Sequence, residues 1–154
     1  MEEKWTFINY NDIFDMFIER EEENIEIYRT FARIYENVEL RKTFEQFVRY
    51  GMAHITELRG MRQQYPEGNF SSPITVKINP VPHKPENFKI MTYRDILEFA
   101  IELEKGHEVL YSEMANQVEG EEVKQLFLKN SEEESKQRLR IEKMLSFEDN
   151  DSDR

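Results

Sequence analysis

Apolar residues recur at steps of three and four in four stretches of the chain, which is the period of an amphipathic helix. A short polar break at residues 36–39 separates the first two stretches, and Pro66 ends the second. Thr92 opens the third stretch with a helix-capping pattern, and Gly120 precedes the fourth. The pattern therefore predicts helices over about residues 11–36, 39–65, 92–118 and 121–146.

The segment between the second and third predicted helices, residues 66–91, contains all five prolines. Apolar residues alternate briefly there at Ile74, Val76 and Ile78, so we expect a long crossover with one short extended strand. Two short hairpins joined by one long connection are the connectivity of a ferritin-like four-helix bundle. We expect one all-α domain over residues 1–146 and an acidic disordered tail over residues 147–154.

Composition excludes several classes of function. With 21 basic and 32 acidic residues the net charge is −11, and no cluster of Lys and Arg stands out along the chain, so nucleic acid and membrane surfaces are not expected partners. The absence of cysteine excludes disulfides, thiolate metal sites and cysteine nucleophiles. Because neither a signal-peptide pattern nor an apolar run of about 18 residues occurs, we expect a cytoplasmic protein.

The two predicted hairpins repeat each other at an offset of 83 residues, without a gap. Tyr10, for example, recurs as Tyr93, and the helices and the loop between them follow the same offset. We infer a duplication in which two helical hairpins are related by a pseudo-twofold axis. Residues of the first hairpin that recur identically include Tyr10, Asp12, Ile13, Ile18, Glu19, Glu21, Tyr28, Ala32, Glu36, Glu39 and Phe44.

Carboxylate and imidazole side chains interrupt the apolar stripes at corresponding positions of the two hairpins. Glu21 and Glu104 lie on the first helix of each hairpin, and His54 and Glu134 lie on the second. An ionised carboxylate in a bundle core costs several kcal/mol unless it is paired or binds a cation. Carboxylate and imidazole ligands without a thiolate indicate iron or manganese, with zinc as an alternative.

The segments FIEREEENIEIY and AIELEKGHEVLY resemble the two Glu-x6-Tyr helices of rubrerythrin-like di-iron proteins. The resemblance covers nearly all of residues 10–146 except the crossover. It implies that Glu21 and Glu104 are metal ligands and that Tyr28 and Tyr111 are the tyrosines that support them.

The resemblance also implies that the metal site is incomplete, because this family carries a Glu-x-x-His motif on the second helix of each hairpin. His54 occupies one histidine position, but Gly51 replaces its glutamate. Glu134 occupies the other glutamate position, but Gln137 replaces its histidine. His107, one turn after Glu104, could supply an imidazole instead. A glycine at position 51 also suggests open space beside the site.

Three states of this site stay open from the sequence: two metals, one metal, or a metal-free network of hydrogen bonds. The resemblance implies an oxidoreductase that acts on O2 or peroxide with iron bound. Without cysteines the chain lacks a rubredoxin domain, so its electrons would come from a separate redox partner. The alternative is a non-catalytic scaffold with a degenerate site and no metal. We expect a homodimer.

Overall fold

The computed structural model describes residues 3–65, 68–78 and 82–152. The chain forms four α-helices in the order of a ferritin-like four-helix bundle, as predicted. Their bounds are α1 Tyr10–Ile34, α2 Val38–Gln64, α3 Tyr93–Gln117 and α4 Glu121–Ser152. Two strands, β1 Glu3–Asn9 and β2 Asn69–Ile78, pair in a small sheet, and a 3-10 turn, Phe88–Ile90, precedes α3.

The 83-residue repeat is visible in the helix bounds. The two first helices, α1 and α3, each contain 25 residues and begin at matching positions, Tyr10 and Tyr93. They also begin in the same way, because Asn9 accepts a hydrogen bond from the next turn of α1 and Thr92 does so in α3. The backbone N–H of Thr92 in turn donates a hydrogen bond of 3.0 Å to the Asp95 carboxylate, which completes the predicted capping box.

The chain divides into two compact units, one over Lys4–Val76 and the other from Lys77 onward together with the chain up to Glu3. In the first unit, α1 packs against α2 through an aromatic core. The Tyr28 ring lies 5.0 Å from that of Phe44 and 5.3 Å from that of Phe47. Other buried side chains of this hairpin are Ile13, Phe14, Phe17, Ile27, Phe31, Leu40 and Leu58.

The two-stranded sheet belongs to the first unit. Its side chains alternate as expected for a half-buried sheet, with Phe7, Ile74 and Val76 buried and their neighbours exposed. The Arg20 guanidinium of α1 lies 4.9 Å from the centroid of the Trp5 ring, a cation–π contact between helix and strand. These contacts fix β1 against the helical hairpin.

In the second unit α3 packs against α4 around a more aliphatic core. Arg138 on α4 donates to Glu108 on α3 at 3.0 Å and to Glu142 at 2.9 Å, and these bonds raise the pKa of Arg138 above its ordinary value. The Ser131 hydroxyl donates to the Glu108 carbonyl at 2.9 Å. Buried side chains here include Ile96, Leu97, Ala100, Leu103, Met114, Val123, Phe127 and Ile141.

The secondary structure differs from the sequence prediction in two respects. A sheet accompanies the helices, and β1, which precedes the first predicted helix, was not predicted in the all-α assignment. Helix α4 continues to Ser152, beyond the predicted end at 146, so residues 147–152 are helical, and 153–154 lie outside the described residues. The prediction of a single domain stays a prediction. Within the described ranges, no helix combines the length and apolar character that crossing a membrane requires.

Gly51 brings α1 and α2 close together at the height of Glu21. A Cβ at position 51 would lie 2.9 Å from Ile25 Cγ1 and 3.3 Å from Ile25 Cδ1. Real Cβ atoms essentially never make a contact of 2.9 Å, so any side chain here would displace Ile25. The expectation of open space beside Gly51 is therefore wrong: the Ile25 side chain fills that space.

This packing makes a prediction for stability. Gly51→Ala should destabilise the protein by about 1–3 kcal/mol, although alanine is the better helix former by about 1 kcal/mol. Gly60→Ala in the same helix is the matched control, since nothing lies within 4 Å of the added Cβ, and it should be neutral or stabilising. Adding Ile25→Ala to Gly51→Ala should cost less than the sum of the two single changes. Urea unfolding measures all four free energies, and equal effects at 51 and 60 would contradict the close packing.

Candidate metal centre

Glu21 and His54 form a buried pair between α1 and α2. The Nδ1 atom of His54 and the Oε1 atom of Glu21 are 3.1 Å apart, and the two side chains are 1% and 2% exposed. With the proton on Nδ1, the imidazole donates a hydrogen bond to the carboxylate. The pair therefore compensates a carboxylate that would otherwise be costly to bury in the helix interface.

Glu104 and Gln137 occupy the corresponding positions between α3 and α4. In the amide orientation that satisfies both groups, the Gln137 nitrogen donates to the two oxygens of Glu104 at 3.0 and 3.2 Å. Glu104 is fully buried and Gln137 is 6% exposed. Gln137 thus donates a hydrogen bond to Glu104 as His54 does to Glu21. Its amide, however, has no imidazole nitrogen that could bind a metal.

The first pair has donors suited to a metal ion. Two ligand atoms of one first-row cation, with bonds of about 2.1 Å at an angle near 90–100°, lie about 3.0–3.2 Å apart. The separation between Glu21 Oε1 and His54 Nδ1 falls in this range. The same separation also suits a direct hydrogen bond, so the pair fits both a metal-bound and a metal-free state. Which state prevails depends on the metal affinity of the protein.

The second hairpin contains two more of the predicted ligands. Glu134 on α4 is 2% exposed, as its position on the apolar stripe predicts, and His107 on α3, whose orientation the sequence left open, is 1% exposed. Their burial fits a role as ligands, but the assignment of His107 as a replacement imidazole stays a prediction. The tyrosines predicted to support the ligands, Tyr28 and Tyr111, are also buried.

The two positions at which the resemblance implies a missing ligand, Gly51 and Gln137, differ in what occupies the space of that ligand. At position 51 the absent glutamate has been replaced by a close contact between helices, because Ile25 occupies the space. At position 137 the absent histidine has been replaced by a side chain that still reaches the glutamate on the facing helix. Restoring the first ligand therefore requires repacking, whereas restoring the second requires only an exchange of one polar side chain.

Asn130 on α4 is a further buried polar residue of the second hairpin. It is 0% exposed, and neither its amide nitrogen nor its oxygen hydrogen-bonds to any residue in the described part of the chain. Its counterpart in the first hairpin is Phe47, which packs on Tyr28. Because Asn130 lies one turn before Glu134, it adds polarity to the same face of α4.

Comparison with known proteins supports the fold and the resemblance to the rubrerythrin family. The family model described as Rubrerythrin matches residues 95–153, which include most of α3 and α4. No curated protein matches the chain.

Two solved structures share the fold. A Thermotoga maritima protein assigned to the ferritin-like diiron-carboxylate proteins is 23% identical, with a TM-score of 0.72 over 90% of this chain and 95% of its own. A hypothetical protein from Pyrococcus furiosus is 18% identical, with a TM-score of 0.68 over 89% of this chain and 88% of its own. The resemblance to the rubrerythrin-like, ferritin-like proteins is thereby confirmed.

The Glu21–His54 pair makes a prediction for the metal-free protein. His54→Ala removes the donor from a buried carboxylate and should destabilise by about 2–4 kcal/mol. His54→Gln should cost roughly half as much or less, because an amide can donate to Glu21 as Gln137 does to Glu104. Urea unfolding in the presence of a chelator measures both. Equal losses for the two variants would show that packing, not the hydrogen bond, determines the effect.

Proposed function

We propose that this rubrerythrin-like chain binds iron, with manganese or zinc as alternatives, and that Glu21 and His54 are its principal ligands. The observation that carries the proposal is the buried separation of 3.1 Å between a carboxylate oxygen and an imidazole nitrogen. Glu104, Glu134 and His107 of the second hairpin complete the ligand set predicted from the repeat and the resemblance. All of them are buried.

The two hairpins do not contribute equally to this proposal. The first keeps an imidazole beside its glutamate, while the second holds Glu104 through the amide of Gln137. An amide nitrogen that donates to both carboxylate oxygens competes with a cation for their lone pairs. We therefore propose that the native protein binds one metal more tightly than a second.

Bound iron would supply redox reactivity toward O2 or peroxide, and we propose an oxidoreductase of that kind as the activity. The protein's own residues exclude water and hold the carboxylates in place, since the site residues are almost fully buried. Electrons would come from a separate redox protein. A second copy of this chain is the other proposed partner.

A non-catalytic scaffold is the second candidate function, and two contacts favour it. Ile25 fills the position beside Gly51, and Gln137 satisfies Glu104 without a metal. Both contacts stabilise a metal-free core. The scaffold and the enzyme therefore differ in metal affinity, which is measurable directly.

Metal titration tests the proposal. The protein prepared without chelators should contain iron or manganese, and added Fe(II) under anaerobic conditions should raise its unfolding midpoint. His54→Gln should lower the affinity at least about tenfold, and Gln137→His should raise it by a similar factor, because imidazole is the better ligand. His83→Gln, which changes an exposed histidine in the crossover, is the matched control and should change nothing.

Elemental analysis and calorimetry report the stoichiometry and affinity of each variant. If iron is bound, consumption of hydrogen peroxide in the presence of a reductant should follow the iron content of the variants. A parent protein that binds no iron and a Gln137→His variant that gains none, both folded, would establish the scaffold instead.

Restoring the two missing ligands by mutation is a further test of the proposal. Gly51→Glu together with Gln137→His restores both Glu-x-x-His motifs, but the new glutamate should clash with Ile25 and cost about 1–3 kcal/mol. Adding Ile25→Ala should recover most of that stability and raise the metal content toward two per chain. Circular dichroism and elemental analysis of both variants check this. Equal metal content without Ile25→Ala would contradict the steric account.

A further inference from the structure

A cavity of about 770 Å3 lies between α1 and α2, within the first unit. Its floor is formed by the buried side chains of Ala32 and Val48. Four exposed arginines and two exposed glutamates form its walls. These six residues are Glu26, Arg29, Arg33, Arg41, Glu45 and Arg49.

The arginines of this cavity outnumber the glutamates beside them and form no ion pair within the described residues. Arg29 lies 4.0 Å from the sulfur of Met52, and Arg33 donates to the Arg29 carbonyl at 3.4 Å. Elsewhere in the same unit, by contrast, Arg59 and Arg62 pair with Glu22 and Asp15.

The cluster is also specific to one hairpin. At the offset of 83 residues the four arginines correspond to Ser112, Asn116, Lys124 and Glu132. The second hairpin thus has one basic and one acidic residue at these positions, so the arginines do not follow from the duplicated fold. The whole chain has a net charge of −11, so a basic cavity has the opposite sign to the protein's overall charge.

The absence of a Lys/Arg cluster along the sequence does not carry over to this surface. The four arginines are spread over residues 29–49 on two helices, so no basic run appears in the sequence, and only the packing of α1 against α2 gathers them.

We propose that this cavity binds a small molecule that carries a diphosphate group. Planar guanidinium groups bind phosphate oxygens in a bidentate manner, and several arginines around one cavity favour an anion with more than one charge. A volume of about 770 Å3 is in the range of pockets that accept small ligands, and the Ala32–Val48 floor offers apolar contact to a nucleoside or similar group. The four arginines outnumber Glu26 and Glu45, so the cavity keeps a net positive charge for an anion.

Calorimetric titration with inorganic pyrophosphate and with ADP tests the proposal, at constant ionic strength and without added metal. Both should bind saturably, and sulfate at the same ionic strength should bind more weakly. If ADP binds more tightly than pyrophosphate, the ligand is a nucleotide. If the two bind equally, the ligand is an inorganic diphosphate. The double variant Arg33→Gln with Arg49→Gln should weaken the affinity for both by about tenfold or more.

The charge-matched control is Arg140→Gln with Lys143→Gln, two exposed residues on α4. It removes the same charge from the chain and should change the affinity by less than about twofold. Circular dichroism verifies that both double variants are folded. Absence of saturable binding, equal binding of sulfate and pyrophosphate, or equal weakening in the two double variants would each overturn the proposal.

Discussion

The burial of a glutamate on the first helix of each helical hairpin is the constraint on which the rest of this structure depends. Glu21 and Glu104 lie in helix interfaces with almost no exposure to solvent, where an unpaired carboxylate costs several kcal/mol. Each is compensated from the facing helix, Glu21 by the His54 imidazole and Glu104 by the Gln137 amide. The same geometry therefore recurs at the same point of the repeat with two different donors, of which only the imidazole is also a good metal ligand.

Around this constraint the two copies of the hairpin have diverged. The starting positions of the helices and most buried positions have been kept, but the core of the first copy is richer in aromatic residues. Ile25 fills the space at Gly51 in the first hairpin, whereas its counterpart Glu108 accepts hydrogen bonds from Arg138 in the second. The space beside position 51, where the resemblance implies a missing ligand, is thus filled by an apolar side chain.

Most of the fold could be predicted from the sequence, because helix period, caps and the repeat all act locally. Both glutamates and His54 were identified because charged residues on an apolar stripe are costly. Other features depend on contacts between segments distant in the chain. The occupation of the Gly51 space by Ile25 requires the distance between α1 and α2. Strand β1 depends on pairing with β2, far away in sequence, and the alternation that would have indicated it is only a few residues long.

Anomalous diffraction at the iron edge, from crystals of the protein loaded with Fe(II), tests the central claim most directly. The account predicts a buried anomalous peak within bonding distance, about 2.0–2.3 Å, of both the Glu21 carboxylate and the His54 imidazole. Glu21→Gln crystals prepared in the same way should lose it. A peak confined to surface carboxylates, or no peak while Glu21 and His54 keep their direct hydrogen bond, would contradict the account.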